Sequence, residues 1–279
     1  MRKMLVLTAL TCSHGYPKST YHTFVGSLAA TGFKGDIVIV VSENNYSDLN
    51  LSEIKDQYAC LNFYTIQNLQ EYRDINCYRY RYYYEILQSQ ANKYDYVVLS
   101  DSRDVLFQRD ISEYPFDPET DMFFAEEEKL IKDCVFNSGW ILDLFGQKTL
   151  EDLKSKVVLC SGTTVGKTHA IMNYLALMNK HVTNVEDEFH QRFGHLGGVD
   201  QGIHNYIYYK NELPELAIKT MHNSENLFYT IGHVAKDDAN RKFLNSESQF
   251  INKDGQLCYC IHQFDRLDES VLGRITLGR

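Results

Sequence analysis

Two acidic residues three positions apart, Asp101 and Asp104, close the apolar run Tyr96-Val97-Val98-Leu99-Ser100. Carboxylates set directly after a strand can hold a hard divalent cation, which takes oxygen ligands and keeps positions open for phosphate oxygens. The same spacing also suits a plain turn, with Asp101 capping it and Asp104 paired to Arg103 or Arg109. A third acid, Asp200, follows Gly197-Gly198 at the start of a helical pattern, where the helix dipole favours an anion. Asn137-Ser138-Gly139 and Ser161-Gly162-Thr163-Thr164 offer amide, hydroxyl and close backbone approach, a set suited to sugar hydroxyls or to ordinary turns. Gly162 to Thr168 mimics a phosphate-binding loop but has three positions between its glycines instead of four, too few to wrap a phosphate. Glu126, Glu127 and Glu128 read as a solvated loop.

The elements that would position these groups alternate in period. Met4 to Leu10, Asp36 to Val41, Leu61 to Tyr64 and Tyr94 to Ser100 are short apolar runs, as expected of strands covered on both faces. Helical spacing falls at Ser19 to Ala30 and Ile75 to Ala91 between them, so the first half predicts a parallel sheet flanked by helices. Ligands of such sheets gather at the carboxyl ends of the strands, where Asp101 and Asp104 stand. Further on, Asp121 to Ala125, Trp140-Ile141-Leu142 and Cys258 to His262 read as strands, and Thr168 to Lys180 and Val199 to Lys210 as helices. On the helix from Ile75, Arg79 and Arg81 lie about 200° apart, so at most one can face a cleft; Arg79 reads as the solvated one.

The chain of 279 residues is 44% hydrophobic and 23% charged, enough to bury a sizeable core. Lys plus Arg number 28 and Asp plus Glu 37, a net charge of −9, which argues against a nucleic-acid binder that relies on a basic surface. No transmembrane run is present, and Met4 to Leu10 is too short and threonine-broken for a signal peptide. Seven scattered cysteines without metal-type pairing read as free thiols in a reducing, cytoplasmic setting. No internal repeat or linker is visible, which predicts a single domain over residues 1–279, with one half to about residue 110 and a C-terminal lobe beyond it over the sheet edge.

The run from Tyr96 to Phe107 resembles the metal-binding motif of GT-A glycosyltransferases in a spaced Asp-x-x-Asp form, like that of collagen lysyl hydroxylases' glycosyltransferase domain. The resemblance extends, in order, to Leu7-Thr8-Ala9-Leu10-Thr11, Tyr80-Arg81-Tyr82-Tyr83-Tyr84, Phe136-Asn137-Ser138-Gly139, Asp200-Gln201 with His204-Asn205, and Ile261-His262-Gln263, covering roughly residues 4 to 266. It implies an α/β, Rossmann-like GT-A fold and transfer of a hexose or pentose from a nucleotide diphosphate, UDP first among donors, to a hydroxyl acceptor such as a glycan. By that resemblance Asp101, Asp104 and His262 hold Mn2+ or Mg2+, the imidazole tilting preference toward Mn2+. Thr8, Ala9, Thr11, Arg81, Ser102 and Arg103 line the donor site, with Asn137, Ser138, Gly139 and Gln201 beside the sugar and acceptor. Asp200 is the reacting-centre carboxylate, a general base if configuration inverts or a donor-positioning group if it is retained. The glycogenin-like lysine tail is missing, and Arg266 stands in its region. A glycan- or nucleotide-sugar-binding domain without transfer is the competing expectation, and an NTPase or dehydrogenase reading lacks its glycine-rich loop.

Overall fold

The computed structural model describes residues 2–11, 15–67, 74–238 and 241–275. Its first half alternates strand and helix: β1 (Met4–Ala9), α1 (Lys18–Ala30), β2 (Asp36–Ser42), α2 (Glu43–Asp48), α3 (Ser52–Gln57), β3 (Leu61–Ile66), α4 (Ile75–Gln88) and β4 (Tyr96–Ser100). Then come β5 (Val105–Phe107), β6 (Met122–Leu130), α5 (Val135–Leu153), β7 (Val157–Lys167), α6 (Thr168–Phe193) and α7 (Val199–Tyr209). β8 (Ile218–Met221), β9 (Phe228–Thr230), α8 (Gly232–Asp237), β10 (Cys260–His262) and α9 (Glu269–Leu272) complete the chain.

Seven strands form one sheet in the order β3-β2-β1-β4-β7-β6-β8, and β5, β10 and β9 form a second, small one. In the large sheet β3, β2, β1 and β4 run parallel, β6 and β8 run parallel, and β7 is antiparallel to β4 and β6. The period of two along each strand divides the core. Leu5, Leu7, Val38, Val40, Val97 and Leu99 pack with residues of α4, α6 and α7, while Met4, Val6, Ile37, Ile39 and Val98 pack with residues of α1 on the other face. Because β2 and β4 lie on opposite sides of β1, the strand order reverses there, and such switch points are where α/β sheets place their ligands, past the ends of β1 and β4. The expected α/β sheet with covered faces is therefore present, and Leu106, Tyr229, Ile231, Phe250 and Ile261 form a separate, smaller apolar cluster.

Several sequence expectations are corrected. Trp140-Ile141-Leu142 lies inside helix α5, not in a strand; three apolar residues cannot distinguish the two periods, and here Trp140, Leu144 and Phe145 share a helical face packed on the core. Helix α6 continues past Lys180 to Phe193, because Val182, Val185 and Phe189 carry its apolar face onward to Gly194, whose φ of 73° ends it. The strand β7 escaped the pattern although it is central: its apolar run Val157-Val158-Leu159-Cys160 is followed by buried polar residues, Ser161, Thr163 and Thr164, which the sequence alone reads as a turn. The phosphate-loop mimic beginning at Gly162 is thus extended backbone, paired to β4 and β6.

A short repeat is also present where none was expected. Residues 243–249 and 250–256 form two successive seven-residue turns. In each, an asparagine (Asn245, Asn252) accepts backbone N–H donors two and four residues on, and its own N–H donates to the glutamine carbonyl. Ser248 and Gly255, at matching places, both have φ above 60°. The repeat hides because only the Asn, the Gln and the leading Phe coincide. Among the described residues, no helix is long and apolar enough to cross a membrane.

Candidate metal centre

Asp101 leaves the end of β4, and Asp104 precedes β5 by one residue. His262 closes β10, which runs antiparallel to β5 so that His262 stands opposite Val105. Gln263 then donates its N–H to the Asp104 carbonyl at 2.8 Å, and Ile231 donates to the His262 carbonyl at 3.0 Å. This pairing carries an imidazole across more than 150 positions of sequence to the two carboxylates. Its Nε2 lies 3.4 Å from Asp101 Oδ2 and 3.8 Å from Asp104 Oδ1.

Each carboxylate divides its oxygens. Asp101 gives Oδ1 to the Arg79 guanidinium and turns Oδ2 to the histidine. Asp104 gives Oδ2 to Arg103 at 2.9 Å and turns Oδ1 inward. Arginines that hold the outer oxygens fix the inner ones, as outer partners do around metal ligands. His262 is 2% exposed, and its Nε2 has no hydrogen-bond partner, a costly state for a buried polar atom. One ligand atom from each residue falls within 4.8 Å of the other two, so Asp101, Asp104 and His262 can hold a metal ion. Bonds of about 2.1 Å place neighbouring ligands of an octahedral ion roughly 3.0 Å apart and opposite ones roughly 4.2 Å apart, which this spacing accommodates. β7 leaves room as well: Gly162 accepts the Asp101 N–H, and a Cβ on it would lie 2.6 Å from Asp101 Oδ2 and 2.6 Å from His262 Cε1.

Charge is balanced with care. Burial works against ionising Asp101, yet Arg79 and His262 keep its pKa below the ordinary aspartate value. Burial raises Asp104, with His262 and Arg103 opposing. Burial also works against the His262 cation, but Cys160, Asp101 and Asp104 hold its pKa well above the usual histidine value.

Arg79 also reaches Asp200, Nη2 donating to Oδ2 at 3.0 Å. Tyr80 and Ser161 hydroxyls donate to the same oxygen at 3.1 and 3.0 Å. Asp200 is 3% exposed in the first turn of α7, and burial raises its pKa against the pull of Arg79. One arginine thus ties a candidate metal ligand to the candidate reacting carboxylate. The expectation that Arg79 is solvated and Arg81 faces the cleft is corrected. Arg79 shares the inward face of α4 with Tyr80, Tyr83 and Leu87, whereas Arg81 points outward to Tyr82 and Glu85. The signal lay in the helix itself, since 79, 83 and 86 share its buried stripe.

The remaining expected residues divide. Thr8 is buried with a partnerless hydroxyl, Ala9 is half-buried at the end of β1, and Ser102 donates to the Ala9 carbonyl at 3.4 Å, so Ala9 and Ser102 meet past the ends of β1 and β4. Thr11 binds Asn45 at 3.0 Å. Arg103 spans Asp104 and Asp265, and Arg266 pairs with Asp265 at 3.5 Å. Gln201 gathers the sugar-side set: its Nε2 donates to Asn137 Oδ1 at 3.3 Å and to Glu127 Oε1 at 3.2 Å, and its Oε1 accepts the Ser161 N–H at 3.3 Å. Asn137 and Ser138 lie in the first turn of α5, with Ser138 donating to the Ile131 carbonyl at 2.6 Å, while Gly139 faces open space. His204 and Asn205 serve the fold. Burial drops His204 to about 3 beside the Tyr174 hydroxyl, and Asn205 brackets the N–H and carbonyl of Leu159 at 2.8 Å each. Glu127 and Glu128 are not solvated: strand β6 buries Glu127 against His233 at 3.0 Å and pairs Glu128 with Arg241 at 2.9 Å. Cys12, after β1 where a dehydrogenase would carry its glycine-rich turn, lies outside the described residues.

The sequence matches no known family model, and no curated relative is found for it.

Proposed function

We propose that the chain is a metal-dependent glycosyltransferase of GT-A fold, moving a sugar from a nucleotide diphosphate donor, UDP-linked first, to a hydroxyl acceptor such as a glycan. One observation carries the proposal: two carboxylates, each holding one oxygen on an arginine and turning the other to the buried Nε2 of His262, which has no hydrogen-bond partner, past the ends of β1 and β4. Asp101, Asp104 and His262 would hold Mn2+ or Mg2+, which when bound offsets the charge of a departing diphosphate. Arg79 keeps Asp101 ionised and fixes Asp200. Asp200, its Oδ2 occupied by three donors, retains Oδ1 to take the acceptor proton if configuration inverts, or to orient the donor sugar if it is retained. Asn137 and Gln201 present amides beside it.

The test is UDP release from a panel of UDP-sugars with Mn2+, for the wild type and for Asp104→Asn. Metal-dependent release that the substitution abolishes supports the proposal. Nucleotide-sugar binding without release in the wild type points instead to a silent binding domain, and the absence of both overturns the reading.

A further inference from the structure

Adjoining Gln201 and Asn137 lies a second cluster, whose thiol, imidazole and carboxylate the transfer chemistry does not use. Cys134 precedes the first turn of α5, whose helical backbone runs on to a break at Gly146 (φ 79°), so its sulfur sits where the helix dipole favours negative charge. Asn137 Nδ2 donates to Cys134 Sγ at 3.2 Å, and the His233 imidazole from α8 lies beside the same sulfur and favours its thiolate. His233 is itself held by Glu127, Nε2 to Oε2 at 3.0 Å, and Glu127 is 3% exposed. A thiol, an imidazole and a buried carboxylate are therefore gathered together, with an amide donor on the sulfur. This is the arrangement that activates a nucleophile: a base beside it and a third group orienting the base. Cys134 itself is 5% exposed, next to Val135 and Phe136, two of the most exposed large apolar side chains described.

We propose that Cys134 is a reactive thiolate and a site of oxidation by peroxides, activated by His233 and Glu127. Its electron pair attacks one oxygen of hydrogen peroxide, the S–O bond forms and the O–O bond breaks. The hydroxide that leaves takes the proton of the His233 imidazolium and departs as water. Sulfur is oxidised to the sulfenic acid, peroxide is reduced, and a thiol can return the product to the free cysteine. The groups facing this sulfur and imidazole are Glu127 and Lys129 from β6, Asp133 from the preceding turn, and His233 and Asp237 from α8. Burial opposes the thiolate, but His233 and Asn137 bring the Cys134 pKa down to about 7. The other described cysteines go the opposite way, with burial raising Cys60, Cys77, Cys160, Cys258 and Cys260.

The experiment needs no transferase activity, so its outcome is independent of the proposed function. The reduced full-length protein is treated briefly with hydrogen peroxide and dimedone, and each cysteine is followed by mass spectrometry. In parallel, iodoacetamide rates are measured per cysteine from pH 5.5 to 9.5. Cys134 should trap dimedone ahead of the more exposed Cys60, and its alkylation midpoint should fall near 7. His233→Asn should slow its alkylation at pH 7 about five-fold, a thiolate loss of roughly fifty-fold offset by roughly ten-fold greater intrinsic nucleophilicity. Glu127→Gln should move the midpoint in the same direction. Should either variant fail to fold, the wild-type profile decides alone: a Cys134 midpoint above 8.5, or dimedone on Cys60 and none on Cys134, overturns the proposal.

Discussion

Replacing Gly162 by Ala tests the metal centre without touching a ligand. The added Cβ would stand 2.6 Å from Asp101 Oδ2, 2.6 Å from His262 Cε1 and 2.9 Å from His262 Nε2. Opening the first of these to the 3.4 Å of ordinary contact moves a ligand atom by about 0.8 Å. Metal bonds tolerate roughly 0.2 Å, so the ion must lose a ligand or its geometry. A loss of about 100-fold in affinity is expected, at the upper end for disturbed metal surroundings. The assay is thermal unfolding with and without Mn2+. At 100 times Kd the wild type gains about 2.7 kcal/mol, and at the same concentration the variant, now near its Kd, gains about 0.4 kcal/mol. At roughly 2–4 °C per kcal/mol the wild-type Tm should rise by about 5–10 °C and that of the variant by about 1 °C. Without metal the variant should lose about 1–3 kcal/mol from crowding. A folded Gly162→Ala protein with the wild-type Mn2+ shift would refute the placement of an ion among these three side chains.

Arg79→Met should cost about 3–5 kcal/mol in urea unfolding, because it leaves the buried Asp200 and its partner Asp101 without their cation, whereas Arg81→Ala on the outer face should stay within about 0.5 kcal/mol. Asn205→Ala should lose about 1–3 kcal/mol in the same assay by orphaning the Leu159 N–H and carbonyl. The pH dependence of the thiol pair follows from its two shifts. His233, raised to about 9 by Cys134 and Glu127, stabilises the fold fully below pH 6.5 and loses that contribution as pH climbs through 9. Cys134, lowered to about 7, contributes above about 9 and loses it as pH falls through 7. Between 7 and 9 the folded pair carries its one proton on nitrogen and the unfolded chain carries it on sulfur, so the pair adds no slope. Cys134→Ser should remove the larger support of the His233 cation and leave that of Glu127, so its Tm deficit against the wild type should widen as pH rises above 6.5.

The parallel half of the fold was legible because its strands are continuous β-branched runs that need cover on both faces, as Ile37-Val38-Ile39-Val40-Val41 shows. Asp101 and Asp104 were legible for the same reason, since a strand end marks where a crevice can form. β7 was not, because its apolar run Val157-Val158-Leu159-Cys160 stops at Ser161, and the buried Thr163 and Thr164 that carry the strand on read as a polar turn; pairing with β4 and β6 keeps that second half extended. Arg79 was misplaced because a buried cation needs partners distant in sequence, here Asp101 and Asp200, that no local pattern displays. Glu127 was lost within an acidic run whose alternate members face opposite sides of β6, and its partner His233 lies over a hundred positions away.

The pairing of β10 with β5 gives a bound cation a mechanical part. Two of its ligands belong to the loop leaving the large sheet and the third to the small one. Ion binding would then act as a clasp between the two sheets, and removing it with a chelator should loosen the segment from Phe228 to His262 first. Faster amide exchange and new protease cuts there, ahead of any change in β1 or β2, would record the clasp opening.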